Sequence, residues 1–165
     1  METFVKEFEG SVKKLQKALE KERKKLSEIE NELAPVKERL IQIETELLSI
    51  HREIRENEAR IKEIKNHLKR IMKKTLEAET DREIEMLERD RKRLLKELEE
   101  RKEKIAKLKE EYQNLVLEEN DLIKKELELE EKRHLHEERM QKYLRKIKSV
   151  LNAVEKELDR YSILK

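Results

Sequence analysis

Half of the 165 residues are charged, only 3% are aromatic, and the chain has one glycine and one proline. This composition excludes an ordinary globular core and suits long helices that each bury one stripe. Because 42 Lys and Arg nearly balance 40 Asp and Glu, the net charge is +2, which favours neither disorder nor general nucleic-acid binding. The lack of cysteine excludes disulfides and thiol chemistry.

The sequence also bears on the protein's location. It has no apolar run of about 18 residues that could span a bilayer. The first seven residues, 1–7, are too acidic and contain too few apolar side chains for a signal peptide. We therefore expect a cytoplasmic protein with no membrane span.

The first predicted helix is marked by apolar residues that recur at alternating spacings of three and four between Val5 and Ile71. A heptad repeat kept over about ten heptads predicts a coiled-coil helix. The a column is Val5, Val12, Leu19, Leu26, Leu33, Leu40, Leu47, Ile54, Ile61 and Leu68. The d column is Phe8, Leu15, Glu22, Ile29, Val36, Ile43, Ile50, Asn57, Ile64 and Ile71, of which only Glu22 and Asn57 are polar.

Two residues within this helix disfavour helical structure. Gly10 weakens it, but the heptad spacing runs across this position without a change of phase. Pro35 removes one backbone hydrogen bond and clashes with the preceding turn, at a cost of about 3 kcal/mol. Since the repeat keeps its phase through Pro35, we expect a continuous helix that is kinked there.

The repeat fails between Met72 and Glu83, which predicts a turn. Thr80 to Glu83 form a capping-box sequence, in which the Thr80 hydroxyl accepts from the Glu83 amide and the Glu83 carboxylate accepts from the Thr80 amide. We expect helix 1 over about 3–75, a turn over about 76–80 and helix 2 over about 81–162. A single uninterrupted helix is the alternative.

The second helix has its own repeat. Its first part comprises Ile84, Leu87, Arg91, Leu94, Leu98, Arg101, Ile105, Leu108, Tyr112 and Leu115. A clean apolar pattern returns as Met140, Leu144, Ile147, Leu151, Val154, Leu158 and Tyr161. This second pattern is shifted by four residues, which predicts a stutter that locally unwinds the supercoil. Charged residues at core positions in between, such as Glu119 and Glu126, indicate loose packing or a contact surface.

The fold class expected from these elements is all-α, a long two-helix antiparallel coiled-coil hairpin kinked near Pro35, as a single domain over residues 1–165. The register is predicted from buried charge, with Glu22 opposite Arg133 and Asn57 opposite Leu98. Dimerisation of the hairpin stays open.

The sequence favours no catalytic chemistry. His51 and His67 are isolated, while His134 and His136 point to different sides of a helix. Carboxylates are abundant but lie on exposed faces, where we expect nothing to tune them for catalysis, and there is no glycine-rich phosphate loop. We therefore expect no enzyme, no metal site and no cofactor.

A cluster of basic residues is the candidate binding site. The predicted register brings together basic residues from the start of helix 1 and the end of helix 2. These are Lys13, Lys14, Lys17, Lys21, Arg139, Lys142, Arg145, Lys146 and Lys148. A solvated charged face is the alternative. The partner expected is an acidic protein surface, because no aromatic residues interleave the cations for stacking on nucleic-acid bases.

Residues Glu79–Asp90 (ETDREIEMLERD) resemble the stretch that opens the second helix of bacterial zinc-ribbon coiled-coil hairpin proteins. Thr80, Ile84 and Met86 stand where that family has asparagine, tyrosine and alanine. Pro35 in the first helix is similar as well. The ribbon's paired cysteines have no counterpart here, so the resemblance implies no metal site. It implies a protein-binding chaperone or adaptor in flagellar or type III secretion.

Two functional hypotheses follow. The first is a non-enzymatic adaptor or chaperone that binds a client through its basic end or its imperfect acidic seam. The second is a structural spacer or stalk within a larger complex, similar in length and layout to the two-helix stalks of secretion ATPases.

Overall fold

The computed structural model describes the backbone of residues 2–164 and the side chains of residues 2–162. It contains α1 (Glu2–Glu77) and α2 (Asp81–Leu164). The helices pack against each other, which confirms an all-α helical hairpin. Residues 1 and 165 of the predicted domain lie outside the described residues. Over the described part of the chain, neither helix is apolar enough to cross a membrane.

Helix α1 passes through both residues that disfavour helical structure without interruption. Leu33 and Val36, on either side of Pro35, are both buried. Their packing supports the helix where Pro35 removes a hydrogen bond. The kink at Pro35 stays a prediction.

The turn consists of residues 78–80, between the end of α1 and the start of α2. The Glu83 amide donates to the Thr80 hydroxyl at 3.3 Å, which confirms half of the predicted capping box. The other half is wrong by one residue, because the Glu83 carboxylate accepts from the Glu79 amide at 3.4 Å. Thr80 thus caps α2, and Glu83 holds the preceding loop against its first turn.

The helices form two units by their contacts. The turn unit comprises residues 40–121, and the terminal unit comprises the described residues within 1–39 and 122–165. A single domain over residues 1–165 stays a prediction. In the turn unit, Ile64, Ile71, Leu94 and Leu98 form a buried cluster. Three half-buried residues surround it, namely Ile61, Leu68 and Leu87.

Burial follows the predicted columns of α1. In the turn unit every d residue is buried, while the a residues are half-buried. The d column therefore points most directly at α2. The buried d residues are Ile43, Ile50, Asn57, Ile64 and Ile71.

A polar cluster crosses the turn unit between the helices. The Asn57 side chain accepts from Arg101 at 2.9 Å and donates to the Glu53 carbonyl at 2.7 Å. Arg60 donates two hydrogen bonds to Glu97, each 2.9 Å long. Arg101 also reaches Glu97, at 3.4 Å. The buried Asn57 amide is therefore bonded through both its oxygen and its nitrogen.

The predicted alignment of Asn57 with Leu98 is wrong. Asn57 instead bonds to Arg101, three residues further along α2. The predicted alignment would place Arg91 opposite Ile64, whereas in the structure Arg91 is exposed and Ile64 clusters with Leu94. The observed alignment therefore keeps an arginine out of the apolar cluster.

A truncation pair tests this packing. Ile64→Ala removes a side chain that is 0% exposed, and we expect it to cost roughly 2 to 5 kcal/mol of unfolding free energy. Ile41→Ala makes the same change at a side chain that is 65% exposed, where we expect about 0.5 kcal/mol or less. Urea unfolding followed by circular dichroism measures both, and equal losses would contradict the packing.

The Glu97 contact predicts a dependence on pH. Hydrogen bonding from Arg60 holds the pKa of the Glu97 carboxyl below its ordinary value, and the charge of Arg101 acts in the same direction. A group whose pKa falls on folding stabilises the fold above its unfolded pKa of about 4.3 and loses that effect as pH falls through the folded pKa. We expect Glu97→Gln to destabilise the protein at neutral pH, and this difference from the wild type to shrink in acid. Thermal unfolding of the wild type and the variant, at neutral pH and in acid, measures this difference in stability. A difference that does not change with pH would contradict the predicted role of Glu97.

Candidate protein-binding surface

The terminal unit pairs residues 2–39 of α1 with residues 122–164 of α2. Ile29 and Leu33 pack with Leu129 in its buried cluster. Nearer the chain ends, Phe4 and Phe8 line a cleft together with residues of α2 that include Val150 and Val154. These contacts fix which part of α2 lies beside each part of α1.

Glu22 forms a buried polar contact in this unit. Its Oε2 lies 2.5 Å from Nδ1 of His136, and the Glu22 and His136 side chains are only 7% and 12% exposed. A carboxylate only accepts hydrogen bonds, so the ring nitrogen is the donor. The predicted pair of Glu22 with Arg133 is therefore wrong. Arg133 binds Glu130 and Glu137 of its own helix instead.

The predicted stutter in α2 is also wrong. The residues turned towards α1 keep one heptad phase throughout. The sequence pattern that favoured the stutter combines three of them, Met140, Ile147 and Val154, with leucines that are exposed. The α1-facing residues in the terminal unit are Leu122, Glu126, Leu129, Arg133, His136, Met140, Tyr143, Ile147, Val150 and Val154, all buried or half-buried. Leu144, Leu151 and Leu158, which were predicted to face α1, are exposed.

The predicted basic cluster lies within the terminal unit, and all of its members are exposed. Since Glu22 meets His136 and Phe8 lines a cleft with Val150, the α1 segment 13–21 runs beside the start of the basic α2 segment 139–148. Among the described residues, none of the nine cations forms an ion pair with a carboxylate. The nine exposed cations are Lys13, Lys14, Lys17, Lys21, Arg139, Lys142, Arg145, Lys146 and Lys148. We call this set the basic surface.

A shallow groove adjoins the basic surface. It is lined by Leu26 of α1 and by α2 residues that include Met140, Lys142 and Arg145. Glu137 and Glu138 line it as well, so its charge is mixed. The groove combines apolar side chains with charges of both signs, as interfaces between proteins do.

The two histidines of α2, His134 and His136, differ in exposure and in their partners. His134 is exposed and contacts Glu138 at 3.0 Å, one turn further along α2. His136 is the one whose ring is turned towards α1. The described residues contain no group of three or more His, Asp or Glu that could hold a metal ion. The absence of a cofactor stays a prediction.

Sequence reasoning missed His136 because it sought a charge to neutralise Glu22. The residue could have been found by aligning both polar d residues at once. Moving α2 so that Asn57 meets Arg101 brings Glu22 to His136 in the same step, so both polar d residues gain polar partners. The register predicted from the sequence gave a polar partner to Glu22 but not to Asn57.

A double-mutant cycle tests the Glu22 contact. Truncating His136 leaves the Glu22 carboxylate buried without its partner, so His136→Ala should lose stability. Combined with Glu22→Ala, it should show a coupling of about 0.5 to 3 kcal/mol in unfolding free energy at neutral pH. Arg133→Ala is the control, with no comparable coupling to Glu22→Ala. A stronger coupling of Glu22 to Arg133 than to His136 would instead support the predicted register, in which Glu22 lies opposite Arg133.

Comparisons with protein-family models, with curated proteins and with solved structures found no significant match to this chain. The resemblance to zinc-ribbon hairpin proteins therefore stays a prediction that rests on residues 79–90 and Pro35.

Proposed function

We propose that this chain is a cytoplasmic, non-enzymatic adaptor or chaperone that uses its helical hairpin to bind an acidic protein surface. The observation that carries the proposal is the basic surface, whose nine cations come from both helices and are exposed. Exposed lysines and arginines without carboxylate partners create a positive potential that attracts acidic partners and accelerates their association.

A protein partner fits this surface better than a nucleic acid does. Binding to single strands relies on aromatic side chains that stack on bases between the cations. Tyr143 is the aromatic residue within the basic α2 segment, and it is half-buried against α1. The net charge of only +2 also gives no general attraction to phosphates. The mixed groove beside the cations offers apolar contact in addition to charge.

The cellular process is proposed from the resemblance alone. Zinc-ribbon hairpin proteins act as chaperones or adaptors in flagellar and type III secretion, and residues 79–90 resemble their second-helix start. We therefore propose a secretion client as the first partner to test.

A structural spacer or stalk subunit is the second candidate. It is favoured by the continuity of the helices, which run unbroken from Glu2 to Glu77 and from Asp81 to Leu164. A spacer would stay in one complex under all conditions. An adaptor would hold a conditional partner that salt displaces, because the Debye length falls from about 10 Å at 0.1 M to about 3 Å at 1 M salt.

Removing the α1 half of the basic surface tests the proposal. Changing Lys13, Lys14, Lys17 and Lys21 to Gln should abolish most capture of acidic partners from a nuclease-treated native lysate, measured by quantitative mass spectrometry. The expected loss is several-fold at low salt and smaller at high salt, since screening already weakens the wild type there. All four side chains are exposed, so helix content should not change.

The matched control removes the same charge from the turn unit. Lys62, Lys65, Lys69 and Lys73 are also exposed, and their change to Gln should leave capture intact. If both variants retrieve the same proteins in the same amounts as the wild type, the basic surface is only a solvated face. Loss of capture after nuclease treatment of the wild type would instead identify a nucleic-acid partner.

A further inference from the structure

The contact between α1 and α2 is flanked by one pair of heptad positions that recurs along both helices. In the turn unit, Arg60 of α1 and Glu97 of α2 occupy this pair and form two hydrogen bonds, each 2.9 Å long. In the terminal unit, Phe4 of α1 and Ala153 of α2 occupy it and line one cleft. Residues at this pair of positions therefore lie beside each other, and we call each such pair a flanking pair.

The flanking pairs change in charge towards the chain ends. Every flanking pair of the turn unit contains at least one carboxylate, and so does Glu32 with Lys125 in the terminal unit. The next three pairs contain none. The pairs of the turn unit are Lys74 with Glu83, His67 with Asp90, Arg60 with Glu97, Glu53 with Lys104, and Glu46 with Glu111. The three pairs without a carboxylate are Lys25 with Lys132, Ala18 with Arg139, and Ser11 with Lys146.

Two further lysines of α1 lie on the same side of the terminal unit. Glu7 lines the cleft that holds Phe4 and Ala153. Lys14 and Lys21 follow Glu7 at intervals of seven residues, which places them on the same side of α1. We call the set Lys14, Lys21, Lys25, Lys132, Arg139 and Lys146 the cation strip. Within residues 2–162, whose side chains the structure describes, none of these six cations forms an ion pair with a carboxylate.

The cation strip lowers the stability of the folded chain. Like charges that lie beside each other repel, as Lys25 and Lys132 do here. Lys25 is half-buried, so water screens its charge less than that of a fully exposed lysine. A carboxylate at either position would instead permit a contact like that of Arg60 with Glu97. A local cost of this kind, with no compensating contact inside the chain, is typical of a binding surface.

We propose that the cation strip binds an acidic helix of a partner protein, which lies lengthwise along the groove between α1 and α2. Carboxylates of the partner supply the negative charges that the three flanking pairs lack. This inference rests on the proposed function and deepens it, because it names one side of the terminal unit as the docking face and a helix as the form of the acidic partner.

The spacing of the cations favours a helix as the partner. Lys132, Arg139 and Lys146 recur on α2 every seven residues, and so do Lys14 and Lys21 on α1. This interval is about 10.5 Å along a helix, and carboxylates one heptad apart on a partner helix have the same interval. The charges of a nucleic-acid duplex lie far closer together, at one per about 1.7 Å of its axis.

The surface between the two rows of cations also suits a helix. Ala18 is half-buried and occupies the α1 position between Lys14 and Lys21 on one side and Arg139 on the other. The distance at which two helices pack depends on the size of the side chains at their contact. A small residue at this point therefore leaves room for the partner helix to approach both rows.

Charge reversal within one flanking pair tests the uncompensated charge. Lys25→Glu and Lys132→Glu should each raise the melting temperature at low salt, because each sets opposite charges beside each other. The variant that carries both changes should lose this gain, since two glutamates then repel. Lys17→Glu is the control, because Lys17 is exposed and lies off the cation strip, and its melting temperature should change little. A fall in melting temperature for both single variants would overturn the cation strip.

The same variants test the proposed partner. The probe is a labelled synthetic helix of about four heptads, with rows of glutamate on both sides of an alanine stripe, and fluorescence anisotropy at low salt measures its binding to the full chain. Lys25→Glu and Lys132→Glu should each weaken binding by roughly tenfold, and Lys17→Glu by about threefold or less. A peptide of the same composition, with its glutamates spread around the whole helix, should bind the wild type several-fold more weakly.

Three results would overturn the proposal. Equal weakening by Lys17→Glu and Lys25→Glu would show that total charge, and not the cation strip, determines binding. Tighter binding of a DNA duplex than of the acidic helix, through Lys25 and Lys132, would identify a nucleic-acid partner. A wild type that does not bind the acidic helix would exclude this form of partner. The proposed function would stand in that last case if capture of acidic proteins from lysate still depends on the basic surface, so the two failures are distinguishable.

Discussion

Glu22 and Asn57 are polar residues in an otherwise apolar d column, and both are buried. A polar group in such a place costs roughly 1 to 3 kcal/mol if it has no partner, and more if it is charged. Each has a partner on α2, since Asn57 bonds to Arg101 and Glu22 to His136. A shift of α2 by half a heptad would set Asn57 against Leu98 instead. The alignment of the two helices depends on satisfying these two side chains, and the apolar packing in each unit conforms to it.

The same alignment improves the apolar contacts. It directs the d column towards α2 positions that include the buried Leu94, Leu108, Leu115 and Leu129, and it leaves Arg91 exposed. In the turn unit this yields the cluster around Ile64 and Leu94, and in the terminal unit the cluster around Ile29 and Leu129. Polar pairs specify register in coiled coils because an apolar seam alone tolerates sliding by a heptad, whereas a misplaced amide or carboxylate does not. Here the polar pairs and the apolar clusters select the same alignment of the two helices.

The surface left over after this packing has two parts with different physical ranges. The basic surface acts through a field that extends about 10 Å at 0.1 M salt, so it can attract a partner before contact. Leu144 and Leu151 of α2 are exposed, and an apolar side chain acts only on contact, because the hydrophobic effect requires removal of surface from water.

The sequence by itself determined the helices and the turn, because heptad spacing and the capping residues around Thr80 are local signals. The d column of α1, from Phe8 to Ile71, was read correctly as an inward face, and the exposure of the basic surface followed from its heptad positions. The register was not determined, since Glu22 could be matched with Arg133 or with His136 by charge, and only the joint fit with Asn57 distinguishes the two. The stutter was mistaken because α2 carries two apolar faces after Met140, and a sequence pattern cannot tell which of them meets α1. Tertiary packing decided the register and the face of α2 that meets α1. The burial of a side chain depends on the position of the other helix as well as on the helix that carries it.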